Sequence, residues 1–600
     1  MPVLTLYTSS KHRYLSAVTL VITSKERIKM HTILSVLNKL KQKGLPAALM
    51  VALTGVFGVN ALAAPQALAA PVGHRRVEKL SVKSEKSAQA NVTWPTPLWQ
   101  DSLVTGGSVG YVAQSSPSVA FYKGKTVVAV GAENGYVYLV NGATGQEMPG
   151  WPQKLAAGPG QSVAIESSPT IAWLNGKKRP PTVIVSSGSP WVKDTVGEVE
   201  AFTITGKKRW VFSLPGVTGT AIGAISSAAV GNILGNNQKQ IVFGSWDHKI
   251  YVLNSRGKEL GFAYDNADTI WSSPVVYRLP GQTQDSVFLG SDASGRTYAG
   301  GTKKCFGGFV AEYRWSNAAQ NPDTEAIGPG LSRVWFDCMS QSIWSSPAIG
   351  ILNHVPTLVV GTSWYEQPFP ANTDYVFAFN AISGRELWQA KTAGPAAGSP
   401  AIGVINSTGQ PSVVTTSWAC NGARESSCFY NNSSMVYAFS ASGKQEWAKS
   451  LIGPTALSSP VLVPLNGNKW NDVLVGSPNG LYPIAGENGA FLFGTNNASS
   501  PAVIDYGCRV YNSVAVANVG KTLKTPDWEV FEACGGPEAF HKTGQLIAYH
   551  IRNLPQGETP GWAMFHADPA HTGVAYSTLP GRHTPPGLRP ALKKKEPVKN

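Results

Sequence analysis

The chain has 600 residues, of which 43% are hydrophobic and 14% are charged, so it can bury a large apolar core. Its formal net charge is +15. Much of that excess lies near the two ends, and no zinc-finger spacing or Lys/Arg-rich helix accompanies it. Specific nucleic-acid recognition is therefore excluded as the leading interpretation, while a general attraction to anionic surfaces remains.

The N-terminal part, residues 1–70, has the pattern of an export signal. A basic stretch at 39–43 precedes an apolar stretch at 45–62, and small-residue cleavage patterns follow at 61–63 and 67–69. A retained membrane anchor is the alternative, but the apolar stretch is short and rich in Gly and Ala for a stable span. We expect a secreted, periplasmic or cell-envelope protein.

Two segments that flank the central part are predicted to lack fixed structure. Residues 71–92 are polar and charged, as expected of a flexible leader. Residues 577–600 are Pro-rich and basic, and we interpret them as a disordered tail that could contact an anionic envelope surface.

Between these segments, over 93–576, a short phrase recurs. IWSSP occurs at 270–274 and again at 343–347, and shorter relatives open the other repeats. Most copies are followed by an apolar run ending in Gly-Ser or Gly-Thr, a second run such as YVFAFN, and a turn that contains Gly. Four-stranded sheets that recur at roughly 40–75 residues are the signature of a β-propeller.

The number of phrases predicts an all-β propeller of eight four-stranded blades, with seven blades as the alternative. The phrase opens the innermost strand, where Pro costs no ladder hydrogen bond and small residues fit near the axis. The eighth start is ambiguous, because the segments at Ser499 and Ser513 both fit. The other seven predicted starts are Ser115, Ser167, Ser226, Ser272, Ser345, Ser399 and Ser458.

The outer strand of the closing blade has two candidates. We expect GWAMFHADPAHTG, at 561–573, to supply it, with TWPTPLWQ, at 93–100, as competitor. Either would join the chain ends in one sheet and remove an exposed edge. Within the first candidate, His566, Asp568 and His571 could bind a metal. A turn in which they hydrogen-bond the closing strand is the interpretation we favour.

Six cysteines in an exported chain indicate disulfides, and their placement favours pairs local to one blade. The expected pairs are Cys420–Cys428, Cys508–Cys534 and Cys305–Cys338. The first pair flanks a loop between two β runs, and the second brackets two runs that could be neighbouring antiparallel strands. The third is assigned by exclusion. A catalytic thiol is the weaker interpretation, because no cysteine lies in a Cys/His setting.

The repeats also resemble known families. YVFAFNAISGRELW, at 375–388, resembles the repeat of pyrroloquinoline-quinone-like β-propellers, and residues 226–260 are similar to the FG-GAP-type repeat of exported bacterial propellers. The resemblance extends over most of 108–576 and implies the propeller fold. It implies no single function, because such repeats occur in enzymes, scaffolds and adhesins.

The departures from these families bear on cofactors. Calcium-binding FG-GAP repeats carry several Asp in the loop after the first strand, whereas the corresponding loop at 231–237 has no carboxylate. Eight-bladed quinone-dependent dehydrogenases use an adjacent Cys–Cys pair, which this chain lacks. We therefore expect no PQQ, no calcium and no other metal, and we assign no catalytic residue.

Tryptophans indicate a binding surface. In a propeller blade the innermost strand begins on the same face on which the second strand ends, and six tryptophans occupy these positions. They are Trp191, Trp246, Trp271, Trp344, Trp364 and Trp418. Aromatic rims with few charges suit sugar rings or the apolar anchors of a protein partner. The alternative is that these rings pack between blades as core.

These observations favour an exported, monomeric, non-catalytic propeller that binds a protein or carbohydrate partner through the face with the tryptophans. The alternatives are a quinone- or metal-dependent oxidoreductase of the eight-bladed class and an envelope-assembly scaffold.

Overall fold

The structure is a computed structural model of the chain. It describes the following residues: 5–8, 18–21, 97–156, 164–188, 197–215, 223–264, 269–292, 305, 307–320, 327–339, 341–363, 374–418, 433–453, 458–492, 508–520, 528–535, 544–551 and 560–579. Two compact units are present, Met1–Glu85 and Lys86–Asn600. In the first, β1 (Thr5–Thr8) pairs antiparallel with β2 (Val18–Val21). Among the described residues, no helix has the length and apolarity needed to cross a membrane.

The second unit begins with β3 (Trp99–Ser102), which is followed by a small hairpin of β4 (Val104–Thr105) and β5 (Ser108–Val109). Eight antiparallel sheets then form an eight-bladed β-propeller. The prediction of eight blades is confirmed, and the seven-bladed alternative is wrong. In each blade the strand that follows the serine phrase is innermost, and in blades 1 to 7 chain order runs outward from it.

The first four blades follow one another along the chain. Blade 1 contains β6 (Ser118–Tyr122), β7 (Lys125–Gly131), β8 (Tyr136–Asn141) and β9 (Gln153–Lys154). Blade 2 contains β10 (Thr170–Ala172), β11 (Thr182–Ser186), β12 (Glu198–Thr203) and β13 (Lys208–Ser213). Blade 3 contains β14 (Ala229–Gly231), β15 (Gln240–Gly244), β16 (Lys249–Leu253) and β17 (Glu259–Tyr264). Blade 4 contains β18 (Val275–Tyr277), β19 (Ser286–Gly290), β20 (Phe309–Gln320) and β21 (Ile327–Cys338).

The last four blades complete the circle. Blade 5 contains β22 (Ala348–Leu352), β23 (Val355–Gly361), β24 (Tyr375–Asn380) and β25 (Glu386–Lys391). Blade 6 contains β26 (Ala401–Val404), β27 (Pro411–Trp418), β28 (Ser433–Ser440) and β29 (Gln445–Ile452). Blade 7 contains β30 (Val461–Val463), β31 (Asp472–Ser477) and β32 (Gly480–Ile484). An isolated antiparallel bridge joins Ile484, the last residue of β32, to Phe491. Blade 8 contains β33 (Ala515–Asn518), β34 (Trp528–Cys534), β35 (Gln545–Ile551) and β3.

Blade 8 corrects one expectation about closure. Its outer strand is β3, which pairs with β35 and places Trp99 opposite Ala548, so the competitor segment at 93–100 contains the closing strand. The expectation that 561–573 forms this strand is wrong. That segment places His566, Ala567 and His571 at positive φ. A regular strand does not accommodate this left-handed backbone.

A closed ring of hydrogen bonds explains the repeated phrase. One serine of each phrase, the second where the phrase has two, donates its backbone N–H to the side-chain Oγ of its counterpart in the next blade, over 2.8 to 3.1 Å. The last member closes on the first. We call these eight buried residues the serine ring: Ser116, Ser168, Ser227, Ser273, Ser346, Ser399, Ser459 and Ser513. The ring resolves the eighth start in favour of Ser513, whereas Ser499 lies outside the described residues.

The other residues of the phrase also have defined contacts. The first serine binds within its own blade, as when Ser226 Oγ accepts the N–H of Gly244 at the end of the second strand, over 3.0 Å. The isoleucine of IWSSP packs against the preceding blade. A Cβ added at Gly244 would lie 2.2 Å from Cγ2 of Ile270, so this contact requires glycine. The phrase therefore specifies contacts within a blade and between blades.

Tryptophans in or just before the fourth strands form a second set of contacts, farther from the axis. The indole N–H of Trp388 donates to the carbonyl of Ala441 in the next blade over 3.1 Å, and its ring covers the turn at Gly443. The same indole-to-carbonyl bond joins further blades, through Trp99, Trp151, Trp210, Trp335 and Trp447. Neighbouring blades are thus connected at two distances from the axis.

The segment 560–579, which we call the axial segment, follows the inner edges of the blades. Carbonyls of the axial segment accept N–H groups that lie three residues after serine-ring members in six blades. The donors are Ile171, Val230, Val276, Ile349, Leu462 and Val516, over 2.7 to 3.1 Å. Because innermost strands have an open edge toward the axis, this segment satisfies backbone groups that would otherwise lack partners.

The tryptophan contact with the Gly443 turn predicts a difference between two glycines of blade 6. Gly443 and Gly409 both have positive φ, 81° and 69°, but a Cβ at Gly443 would lie 2.6 Å from Trp388 whereas one at Gly409 meets nothing within 4 Å. We expect Gly409→Ala to cost about 1 kcal/mol from backbone strain alone. Gly443→Ala should cost about 2–4 kcal/mol, because overpacking is added. Urea unfolding of both variants measures the difference, and equal midpoints would contradict the docking role of Trp388.

Candidate functional site

The mouth face is the face of the propeller on which the innermost strands begin and the second strands end. Trp271 and Trp344 directly precede the serine phrases of blades 4 and 5, and Trp246 follows β15. Trp418 is the last residue of β27. The predicted Trp191 and Trp364 lie outside the described residues.

Three of these rings form one stack across three blades. The ring centroids of Trp246 and Trp271 are 4.8 Å apart, and those of Trp271 and Trp344 are also 4.8 Å apart with an interplanar angle of 17°. Trp271 and Trp344 are half-buried, whereas Trp246 is 7% and Trp418 is 2% exposed. Trp271 and Trp344 therefore supply the accessible aromatic surface, while Trp246 and Trp418 mainly pack against protein.

Hydrogen bonds orient part of this stack. The indole N–H of Trp271 donates to Thr269 Oγ1 over 3.1 Å, and that hydroxyl donates to Asp292 Oδ2 over 3.2 Å. The indole N–H of Trp246 is buried and has no acceptor among the described residues. This N–H is shielded from solvent, so Trp246 supports the stack and offers no hydrogen bond to a ligand.

The position before the serine phrase places one side chain of each blade around the mouth. In blades 3 to 5 this position is apolar, with Ile225, Trp271 and Trp344. In blades 1 and 2 it is polar, and Gln114 Nε2 donates to Glu166 Oε2 over 3.0 Å. The mouth therefore has an aromatic side and a polar side. The sequence analysis identified the tryptophans but missed this polar pair. A comparison of the residue before each serine phrase would have identified Gln114 and Glu166 as well.

Glu166 is neutral at physiological pH. Burial raises the pKa of Glu166 from its usual 4.5 to about 8, and the nearby charge of Glu133 raises it further. Its protonated carboxyl can donate as well as accept a hydrogen bond. Glu166 is 6% exposed, so the half-buried Gln114 supplies most of the accessible polar surface of this pair.

Two disulfides lie at the mouth face. Cys305 bonds to Cys338, with Cα atoms 5.2 Å apart, and connects the start of β20 to the end of β21. Cys508 bonds to Cys534 at the end of β34, with Cα atoms 5.6 Å apart. Both predicted pairs are confirmed, whereas Cys420–Cys428 lies outside the described residues. Stable disulfides indicate an oxidising compartment.

The axial segment contains the three residues considered as metal ligands. Asp568 accepts hydrogen bonds from the Ala570 N–H, over 2.8 Å, and from the Thr572 hydroxyl. His571 Nδ1 lies 3.3 Å from Thr170 Oγ1. Burial lowers the pKa of His566 to about 4 and that of His571 to about 3, so both rings are neutral at physiological pH. This arrangement is a turn, but it lies along the blades' inner edges rather than on a closing strand.

The carboxylate of Asp472 accepts hydrogen bonds from the backbone of its own blade. Asp472, the single acid of the blade 7 loop, accepts N–H groups from Leu465, Asn466 and Gly486 over 2.8 to 3.1 Å. Burial raises the pKa of Asp472 to about 6 despite these bonds. Within the described ranges, no three His, Cys, Asp or Glu side chains converge as a metal site.

Comparisons with known proteins find likenesses in structure but none in sequence. No family model and no curated protein matches its sequence. The biofilm matrix protein Bap1 of V. cholerae is similar in structure, with 12% identity, a TM-score of 0.49, and coverage of 77% of this chain and 92% of that one. A europium-containing methanol dehydrogenase has 12% identity and a TM-score of 0.48, with coverage of 76% of this chain and 93% of that one. BamB from Moraxella catarrhalis has 12% identity and a TM-score of 0.42, with coverage of 76% of this chain and 99% of that one. These TM-scores lie below 0.5, so the likenesses assign no function to the chain.

The environment of Glu166 predicts a pH dependence of stability. The unfolded carboxyl ionises above its usual pKa of 4.5, whereas the folded one stays protonated up to about pH 8. Its favourable contribution is therefore complete below about pH 4.5 and is lost as the pH rises toward 8. Glu166→Gln should reduce the loss of thermal stability between pH 5 and pH 8.

The matched control is Glu446→Gln, the same chemical change at an exposed carboxylate of blade 6. This variant should follow the wild-type pH profile. Parallel melting profiles for wild type and Glu166→Gln would contradict the assignment of a buried, protonated Glu166.

Proposed function

We propose that this chain is an exported, non-catalytic β-propeller that binds a protein or carbohydrate partner through its mouth face. The observation that carries the proposal is the stack of Trp246, Trp271 and Trp344 beside the neutral Gln114–Glu166 pair. Aromatic rings supply large apolar contact area at low entropic cost, and the polar pair can fix the orientation of a ligand.

The composition of the mouth favours a ligand that is amphipathic. Both faces of the Trp271 ring meet neighbouring indoles, so a partner would contact the ring edges and the half-buried Trp344. Sugar rings, with apolar faces and hydroxyl edges, and apolar side chains of a protein both fit such a surface.

Disulfide bonds support export of the protein. The Cys305–Cys338 and Cys508–Cys534 bonds fit a secreted, periplasmic or cell-envelope location, and they agree with the signal-like pattern of residues 1–70. An envelope-assembly scaffold is one form of the same function, in which the partner is another envelope protein.

The enzyme alternative is a quinone- or metal-dependent oxidoreductase that uses the central channel. The axial segment follows the innermost strands of that channel, and the carboxylates of Asp472 and Asp568 already accept hydrogen bonds from their own loops. These contacts favour the binding interpretation. Dye-linked oxidation of alcohols or sugars by the purified chain, after addition of PQQ and calcium, would favour the enzyme instead.

The binding function is tested with Trp344→Ala and Trp271→Ala. Binding is measured on a glycan array and against immobilised proteins from the envelope fraction of the source cells. We expect each variant to weaken the best wild-type interaction at least about tenfold, as for a buried aromatic anchor.

The matched control is Trp315→Ala, which removes a half-buried tryptophan of β20 away from the mouth. It should retain binding. If Trp344→Ala and Trp271→Ala keep wild-type affinity, or if both fail to fold, these rings are core and the proposal fails.

A further inference from the structure

The face opposite the mouth has a depression of about 1500 Å³ that spans blades 1 to 3. Its walls are turns between first and second strands, such as 175–180 between β10 and β11, and the β16–β17 turn at Ser255 and Arg256. Its inner end is formed by the axial segment, at Pro569 and Ala570. This surface is built from elements that the mouth face does not use.

Cations dominate this depression. Six exposed basic residues from four turns line it: Lys123, Lys177, Lys178, Arg179, Lys239 and Arg256. None of them forms an ion pair with a carboxylate among the described residues, although four other basic residues do so. Like charges brought together without counter-charges repel one another, so a bound anion would relieve that repulsion.

The carboxylate in the lining, Asp568, interacts electrostatically with Lys239. Asp568 is 1% exposed, and its oxygens accept hydrogen bonds from Ala570 and Thr572 of its own segment. The five other exposed cations are therefore left for a ligand from outside.

The other lining groups suit a sugar. Asn175, Asn237 and Gln238 are exposed amides that can bind hydroxyls, and Trp173 is a half-buried aromatic ring in the same depression. A second depression of about 660 Å³ shares Arg179 and Arg256 with the first and continues to Arg209. Cations therefore follow an elongated path, as needed for a chain-like ligand.

We propose that this cationic depression binds an acidic polysaccharide, a polymer of sugar rings that carry carboxylates. Its concave shape favours a polymer chain over a membrane, because a flat bilayer would reach the exposed cations but not the half-buried Trp173. The ring-sized apolar and amide groups favour sugars over the phosphate backbone of a duplex. This site lies on the opposite face from the tryptophan stack and is independent of the function proposed for it.

The test uses the full chain and polyguluronate, a polyuronate, as probe. Isothermal titration at about 0.15 M salt should detect binding that weakens as salt is added, because exposed charges are screened. The triple variant Lys177→Gln, Lys178→Gln, Arg179→Gln should bind at least about tenfold more weakly, since each cation near an anionic surface contributes to affinity.

Three controls make the outcome specific. Lys444→Gln, at an exposed turn on the same face in blade 6, should bind as wild type, as should Trp344→Ala. A variant with Lys593, Lys594 and Lys595 changed to Gln should also retain binding, which separates the depression from the basic tail.

Several results would overturn the proposal. These are no binding of polyguluronate, unchanged binding by a folded triple variant, loss of binding only in the tail variant, or tighter binding of anionic phospholipid vesicles or duplex DNA than of polyguluronate. If the triple variant does not fold, Lys239→Gln and Arg256→Gln, from two other turns, provide the same comparison. Failure of this test leaves the tryptophan variants at the mouth unaffected, so the two proposals are judged separately.

Discussion

The closed serine ring is the constraint on which the rest of the structure depends. Each N–H···Oγ bond joins one blade to the next, and the bond from Ser513 to Ser116 connects residues at opposite ends of the propeller sequence. Because these serines are buried, loss of one acceptor would leave a buried N–H without a partner, at a cost of about 1–3 kcal/mol. The ring therefore sets both the number of blades and the alignment of their innermost strands.

Two further features complete this frame. Fourth-strand tryptophans such as Trp388 bind the next blade near its outer edge, and the axial segment covers the inner edges. A propeller held by the axial segment, by the serine ring at its innermost strands and by tryptophans near its outer edge presents its loops from fixed strand ends. Rigid placement of side chains from different blades is what brings Trp246, Trp271 and Trp344 into one stack.

The two faces differ in chemistry. The mouth face combines stacked indoles with a protonated Glu166, whereas the opposite face concentrates exposed cations around turns of blades 1 to 3. Both result from the same repeat, because one end of each strand pair carries the serine phrase and the other carries a short polar turn. One fold can thus present an amphipathic surface and a cationic surface at the same time.

The sequence by itself predicted the propeller and favoured eight blades over seven, because strand patterns and the serine phrase are local features that repeat. It also predicted the Cys508–Cys534 pair from the two runs it brackets and the Cys305–Cys338 pair by exclusion. Strand alternation, which follows from chain order, predicted one face for tryptophans such as Trp271 and Trp344. The closing strand, the path of the axial segment and the Gln114–Glu166 pair were decided only by the tertiary structure. Each depends on contacts between residues far apart in the chain, and the positive φ values of His566, Ala567 and His571 that exclude a strand there leave no periodic signal in the sequence.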